Sequence, residues 1–301
     1  MSLPIDLTRR SLLHGALALS AGGAAGAANI TVAAGLAGGG DTTGAQGTVP
    51  LDDATFNVRT VGKLLGDLSG IVTYTWNPGT VYGVLAGSGL PAAEFGRALY
   101  RVEGVTQRIS RLLEDGSVEE RSRNWMFYLD AATDEYLTRW RNPYTGEDLD
   151  VPPWRGSPSR SVLTVRGPQV NFGPGFENTS LGKPPKLSFR SLGERTWITR
   201  HATTRLTDPA GKHRNEMSID AWICRTAELL DERLTHLPST YTWTSHAEWQ
   251  PWTRMQGTPG HVLWRIESVV LHERSALPER FLRHLEALLP GKLDEPLNWS
   301  S

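Results

Sequence analysis

"GRALYRVEGVTQRISRLL", residues 96–113, and "VEERSRNWMFYLD", residues 118–130, are two long runs of alternating character on either side of Asp115-Gly116. Alternation with a period of two is the mark of a strand, and an Asp-Gly pair between two such runs is the strongest short-range signal for a hairpin. The first run places Leu99, Arg101, Glu103, Val105 and Gln107 on one side and Tyr100, Val102, Gly104, Thr106 and Arg108 on the other. Neither face is purely apolar. Two arrangements produce such a mixture: polar residues that point to solvent, or a barrel lumen lined by aromatic and charged groups together, which is how a ligand cavity is built.

Working outward, "IVTYTW" and "TVYGVLAG" flank Asn77-Pro78-Gly79, an expected second hairpin. Turn compositions recur at residues 131–134, 142–146 and 208–211, and strands follow at "RTWITRHATTRL", "NEMSIDAWICRTAELL", "STYTWTSHAEW" and "GHVLWRIESVVLHE". In these, Trp197, Thr199, His201, Thr203 and Arg205 share one face, as do Glu216, Ser218, Asp220 and Trp222. Helical spacing is confined to two places: Phe56, Val58, Val61, Leu64, Leu65 and Leu68 behind Asp52 and Asp53, and Phe281, Leu282, Leu285, Leu288 and Leu289. The expected fold is mainly β, an antiparallel meandering barrel or strongly curved sheet of lipocalin/calycin type over residues 70–273, with one N-terminal and one C-terminal helix. About ten strands with short turns leave costly edges unless the sheet closes. A cone-shaped sheet wrapped by several helices is the alternative, and it needs more helix than the pattern offers.

Thirty-one Lys and Arg against 32 Asp and Glu leave no basic excess to hold a phosphate backbone, so nucleic acid is not an expected partner. "LTRRSLLHGALALSAGGAAGAA" pairs Arg9 and Arg10 with an apolar run from Leu12 to Leu19 and an A-x-A site at Ala25, Gly26 and Ala27. It reads as a twin-arginine export signal over residues 1–27, cleaved after about Ala27, and predicts a periplasmic protein. That apolar run is too short for a permanent membrane anchor. The Gly/Ala/Thr-rich residues 28–50 read as a tether, which leaves residues 51–301 as a single domain. The single cysteine, Cys224, cannot form an internal disulfide and reads as a buried small hydrophobe.

Known catalytic spacings are absent. "HERSA" at His272 lacks the second histidine of H-E-x-x-H, Gly87 and Gly89 directly flank Ser88 where a nucleophile elbow needs wider spacing, and no P-loop or dinucleotide fingerprint occurs. No cofactor and no metal is expected, although His201, His246 and Glu248 together have the chemistry of a metal site. Two segments attract attention instead. "NPYTGE", residues 142–147, reads as a turn with Tyr144 and Glu147 near its tip, and "TWTSHAEWQPWTR" gathers aromatic and ionisable side chains. Alternation sets His246 and Glu248 side by side on one face of a strand, where a neighbouring carboxylate favours imidazolium and orients the ring for acid–base work.

These two motifs, with Met255, Gly260 and Leu277-Pro278 beyond them, resemble the bacterial family catalogued as domain of unknown function 1838, over most of the chain after about Leu51. The resemblance implies a compact, mostly β domain, often behind an export signal and with no known cofactor, and it transfers no catalytic residue. The expected site has His246, Glu248 and Arg254 as catalytic residues, with Trp249, Trp252, Tyr144, Arg101, His201 and Trp125 contacting a small-molecule ligand. Two function classes follow: a cofactor-independent lyase, dehydratase or isomerase acting on a small, partly apolar and possibly aromatic molecule, or a non-catalytic binding protein of lipocalin-like design. The oligomeric state is not legible.

Overall fold

A computed structural model describes residues 53–86, 96–155, 158–171, 179–180, 186–207 and 213–297. The expected leader, the tether and the turn at 208–211 lie outside these residues. Helix α1 spans Ala54–Leu65. It starts where Asp53 Oδ1 accepts the backbone N–H groups of Thr55 and Phe56 at 2.7 and 3.2 Å, satisfying donors that a first helical turn leaves unpaired.

The strands follow in chain order: β1 (Ser69–Trp76), β2 (Gly79–Leu85), β3 (Arg97–Leu112), β4 (Val118–Leu129), β5 (Arg139–Arg141), β6 (Asp148–Asp150), β7 (Trp154–Arg155), β8 (Ser159–Thr164), β9 (Gly167–Asn171), β10 (Thr179–Ser180), β11 (Leu187–Leu192), β12 (Arg195–Thr207) and β13 (His213–Arg225). A short helix α2 (Thr226–Leu230), β14 (Thr240–Ala247), β15 (Gly260–Leu271) and helix α3 (Glu279–Leu288) complete the described chain. None of these helices is long and apolar enough to cross a membrane. The molecule is thus mainly β. One antiparallel sheet has the order β10-β9-β8-β4-β3-β1-β15-β14-β13-β12-β11, and β5 and β6 form a separate hairpin.

Two local readings need correction. Asn77-Pro78-Gly79 is no hairpin turn. Trp76 pairs Val105 and Gly79 pairs Val102, so β1 and β2 follow one another along a single track beside β3, with β15 on the other side. Asn77 exchanges both backbone hydrogen bonds with Gly104, and the Pro78 carbonyl accepts the N–H of Glu267, so the ladder loses only the donor that proline lacks. β3 and β15 therefore each pair with both β1 and β2 along this shared track at the centre of the sheet. The second correction concerns "TAELL", which leaves the strand at Arg225 and turns helical as α2.

The register sorts every strand into an inner and an outer side. Inner residues of β3, β4, β13 and β14 include Val102, Tyr128, Trp222 and Tyr241. Val118 and Leu163 from one end of the sheet and Leu187, Phe189 and Ile198 from the other join the same buried cluster around Val58, Val61, Leu64 and Leu65 of α1. The sheet therefore curls until its two ends meet across that helix. On the outer side, α3 lays Phe281 and Leu285 against Val105, Trp125 and Phe127, with Trp76 edge-on to Phe281 at 4.8 Å.

Candidate functional site

The inner side carries two apolar clusters with polar groups between them. At one end the α1 cluster fills the curl. At the other, Tyr100, Val102, Trp140, Leu149, Trp249, Met255 and Trp264 pack together beneath the β5–β6 hairpin. The two sequence motifs meet here. Asn142, fully buried, donates from Nδ2 to the Thr253 carbonyl at 3.0 Å, its Oδ1 accepts the N–H of Tyr144, and Tyr144 stands edge-on to Trp249 at 5.9 Å. The hydroxyl of Tyr144 reaches the Gly83 carbonyl at 3.2 Å, and a Cβ on Gly83 would lie 2.5 Å from that hydroxyl oxygen, so a larger residue there would have to displace the Tyr144 ring. Trp252 is packed among Tyr100, Tyr128 and Trp140, with ring centroids 5.2 to 5.4 Å apart, and its buried Nε1 has no hydrogen-bond partner.

Between the clusters lies a buried ionic group that the sequence reading missed. Arg200 donates from Nε and Nη2 to Asp220 Oδ2 at 2.9 and 2.7 Å, and Tyr241 donates its hydroxyl to Asp220 Oδ1 at 2.7 Å. Trp222 stacks on Tyr241 with ring centroids 5.0 Å apart, and the Arg200 guanidinium sits 5.6 Å from the Trp222 ring. Burial, reinforced by Asp220, holds the Tyr241 hydroxyl well above its ordinary pKa, although Arg200 and Arg108 pull the other way. It stays a phenol at neutral pH. Two donors in this group, Arg200 Nη1 and Trp222 Nε1, are buried without a partner. A second inward pair, Arg108 Nε to Glu120 Oε2 at 3.0 Å, lines the same side of β3 and β4.

Trp243 pairs with both Ile266 and Asp220, faces inward with them, packs against both clusters, and still remains half-buried. Asn124 and Met126 face inward on β4 and are likewise half-buried, and Gly104 beside Met126 contributes no side chain.

Of the expected site residues, Trp249, Trp252 and Tyr144 come together, as inner cluster residues. The others do not join them. His246 pairs across the ladder with Leu263 and Met217 on the outer side, because its neighbours Ser245 and Ala247 take the inner positions opposite Trp264 and Val262. Glu248 is exposed. His201 lies exposed on the outer side of β12, two strands from His246 and two residues along the ladder, about 12 Å away at the usual spacings. Arg101 is outer and bound to Asp134, Arg254 lies 70% exposed, 4.0 Å from Glu147, and Trp125 is core beneath α3 with Arg123 5.2 Å from its ring. The signal for the true inner group was present in the shared face of Asp220 and Trp222. Among the described residues no three His, Cys, Asp or Glu side chains gather as a metal-binding group.

Residues 71–169 match the model of the family described as protein of unknown function (DUF1838). That span holds most of β1, the whole of β2, β3 and β4 and the β5–β6 hairpin, and it ends before Arg200, Asp220 and Tyr241. No curated protein matches the chain.

Proposed function

We propose that the curled sheet holds a small, partly apolar molecule on its inner side, in a lipocalin-like manner, with the group around Arg200, Asp220, Tyr241 and Trp222 as the polar end of the site. The observation that carries this reading is the pair of buried donors, Arg200 Nη1 and Trp222 Nε1, within one stacked group. A buried donor left unpaired costs about 1–3 kcal/mol, more when charged, and one carbonyl or carboxylate oxygen relieves that cost. Trp243 and the rings around Trp252 supply flat apolar walls for the rest of an aromatic or terpenoid ligand.

Binding stands ahead of catalysis, because the imidazole suited to acid–base work, that of His246, lies on the other side of the sheet. Catalysis without a cofactor, of lyase, dehydratase or isomerase type, is the second reading. Glu120 favours it: an inward carboxylate, 17% exposed and steadied by Arg108. The Arg9-Arg10 leader supports a periplasmic location.

The test begins with mass spectrometry of the natively exported protein, which reports both the co-purifying molecule and the mature N-terminus. Titration with benzoate-type aromatic carboxylates, followed by tryptophan fluorescence, then compares wild type with Trp222→Phe, which keeps an aromatic ring against Tyr241 but removes the N–H together with part of the buried indole. A weakening of about 10-fold or more is expected, the scale of one hydrogen bond to a charged group. Equal affinity in the variant, or no response to any aromatic acid or carbonyl compound, removes the reading. Once a ligand is known, Glu120→Gln separates the classes: lost turnover with retained binding makes the protein an enzyme, and no turnover in wild type makes it a carrier.

A further inference from the structure

The outer side of β13–β15 carries a cluster that the inner site does not use. His246 Nδ1 and His261 Nε2 approach to 2.9 Å, with both rings part-buried. Met217 is the direct cross-strand partner of His246, and its side chain is 39% exposed, which is unusual for a methionine in the middle of a strand ladder. Directly opposed residues hold their Cβ atoms about 4.5–5.5 Å apart, so the thioether is within reach of the imidazole pair.

The geometry points to a copper site on this outer face, formed by His246 Nδ1, His261 Nε2 and the sulfur of Met217. Two nitrogens 2.9 Å apart, each about 2.0–2.1 Å from a shared ion, subtend an angle of about 90°. That angle suits tetragonal Cu(II), and a modest opening of the two rings suits three-coordinate Cu(I). Two imidazoles and a thioether form a soft set, and thioether selects Cu(I) over hard divalent ions. Cys224 does not compete: it lies buried on the inner side, and its thiol is pushed up to about 12, first by burial and then by Glu228.

The test titrates the folded protein with Cu(I) under reductant against a chromogenic Cu(I) chelator, and in parallel with Zn(II). One equivalent of Cu(I) is expected to be withheld from the chelator by wild type. His246→Ala and His261→Ala should each weaken retention at least about tenfold, and Met217→Leu should weaken Cu(I) by a similar factor while leaving Zn(II) unchanged. None of the three side chains belongs to the buried core, so the variants should keep the wild-type circular dichroism spectrum. Cu(I) retention unchanged in the double histidine variant, or unaffected by Met217→Leu, overturns the site and leaves the pair as an ordinary histidine–histidine hydrogen bond.

Discussion

Asp220 accepts three hydrogen bonds, two from Arg200 and one from Tyr241, in a place that water does not reach. A buried ion pair of this kind adds little net stability, because desolvation offsets most of the attraction, yet removing one partner strands the other. Arg200→Met alone should therefore cost about 3–5 kcal/mol in urea unfolding, whereas Arg200→Met with Asp220→Leu should come back to within about 1–2 kcal/mol of wild type. A double variant as unstable as the single one would show that the pair is a structural keystone and weaken its assignment as a ligand site. At this scale the sequence was half legible. Alternation correctly placed Asp220 with Trp222 on one face, but it carries no sign. In strands whose faces are both mixed, only the partners across the ladder decide which face looks inward, and those partners are distant in sequence.

Turns were legible where glycine is forced into the left-handed region. Gly116 (φ 81°) and Gly146 (φ 74°) close the β3–β4 and β5–β6 hairpins as their compositions promised. Asn77-Pro78-Gly79 has the same composition without that constraint, and strand pairing on both sides overrode it. The pairing of β3, β4 and β8 has its own electrostatic clasp on the outer face: Glu119, 3% exposed, accepts from Nε of Arg111 and of Arg160 and lies 3.6 Å from Arg121. Burial works to raise the Glu119 pKa, but the hydrogen bonds from Arg160 and Arg111 and their charges outweigh it and hold the carboxyl below its ordinary value. A carboxylate depressed in the folded state contributes stability above its unfolded pKa of about 4.3, and that contribution is lost as pH falls through the folded value. Glu119→Gln should thus be less stable at pH 7 and show a flatter loss of stability below about pH 5. Parallel acid limbs for variant and wild type, measured as urea midpoints against pH, would contradict the assignment.

At the scale of the whole molecule the decisive feature is that the sheet curls round α1, and this was the least legible part. The apolar spacing of α1 predicted a helix with one buried stripe, but Asn57, Thr60 and Lys63 are buried as well, and Lys63 Nζ reaches the Asp231 carbonyl at 2.9 Å. A helix becomes buried on most sides only when two sheet ends close over it, which is a long-range event without a local pattern. The consequence is measurable by native-state hydrogen exchange. A 12-residue helix is marginal alone in water, so any strong protection of its amides must come from the surrounding sheet. Opening α1 locally would expose Val58, Val61, Leu64 and Leu65 together with the faces of Leu163, Phe189 and Ile198 that they cover. At about 1.5–3 kcal/mol for each large side chain, that exposure costs as much as unfolding a whole domain. The amides of residues 58–65 should accordingly exchange only through global unfolding, at the rate of those in β13 and β14, despite their position next to the chain's N-terminal segment. If they exchange as fast as a fraying terminal helix, the two ends of the sheet do not close across α1, and the inner side is an open trough instead of a lumen.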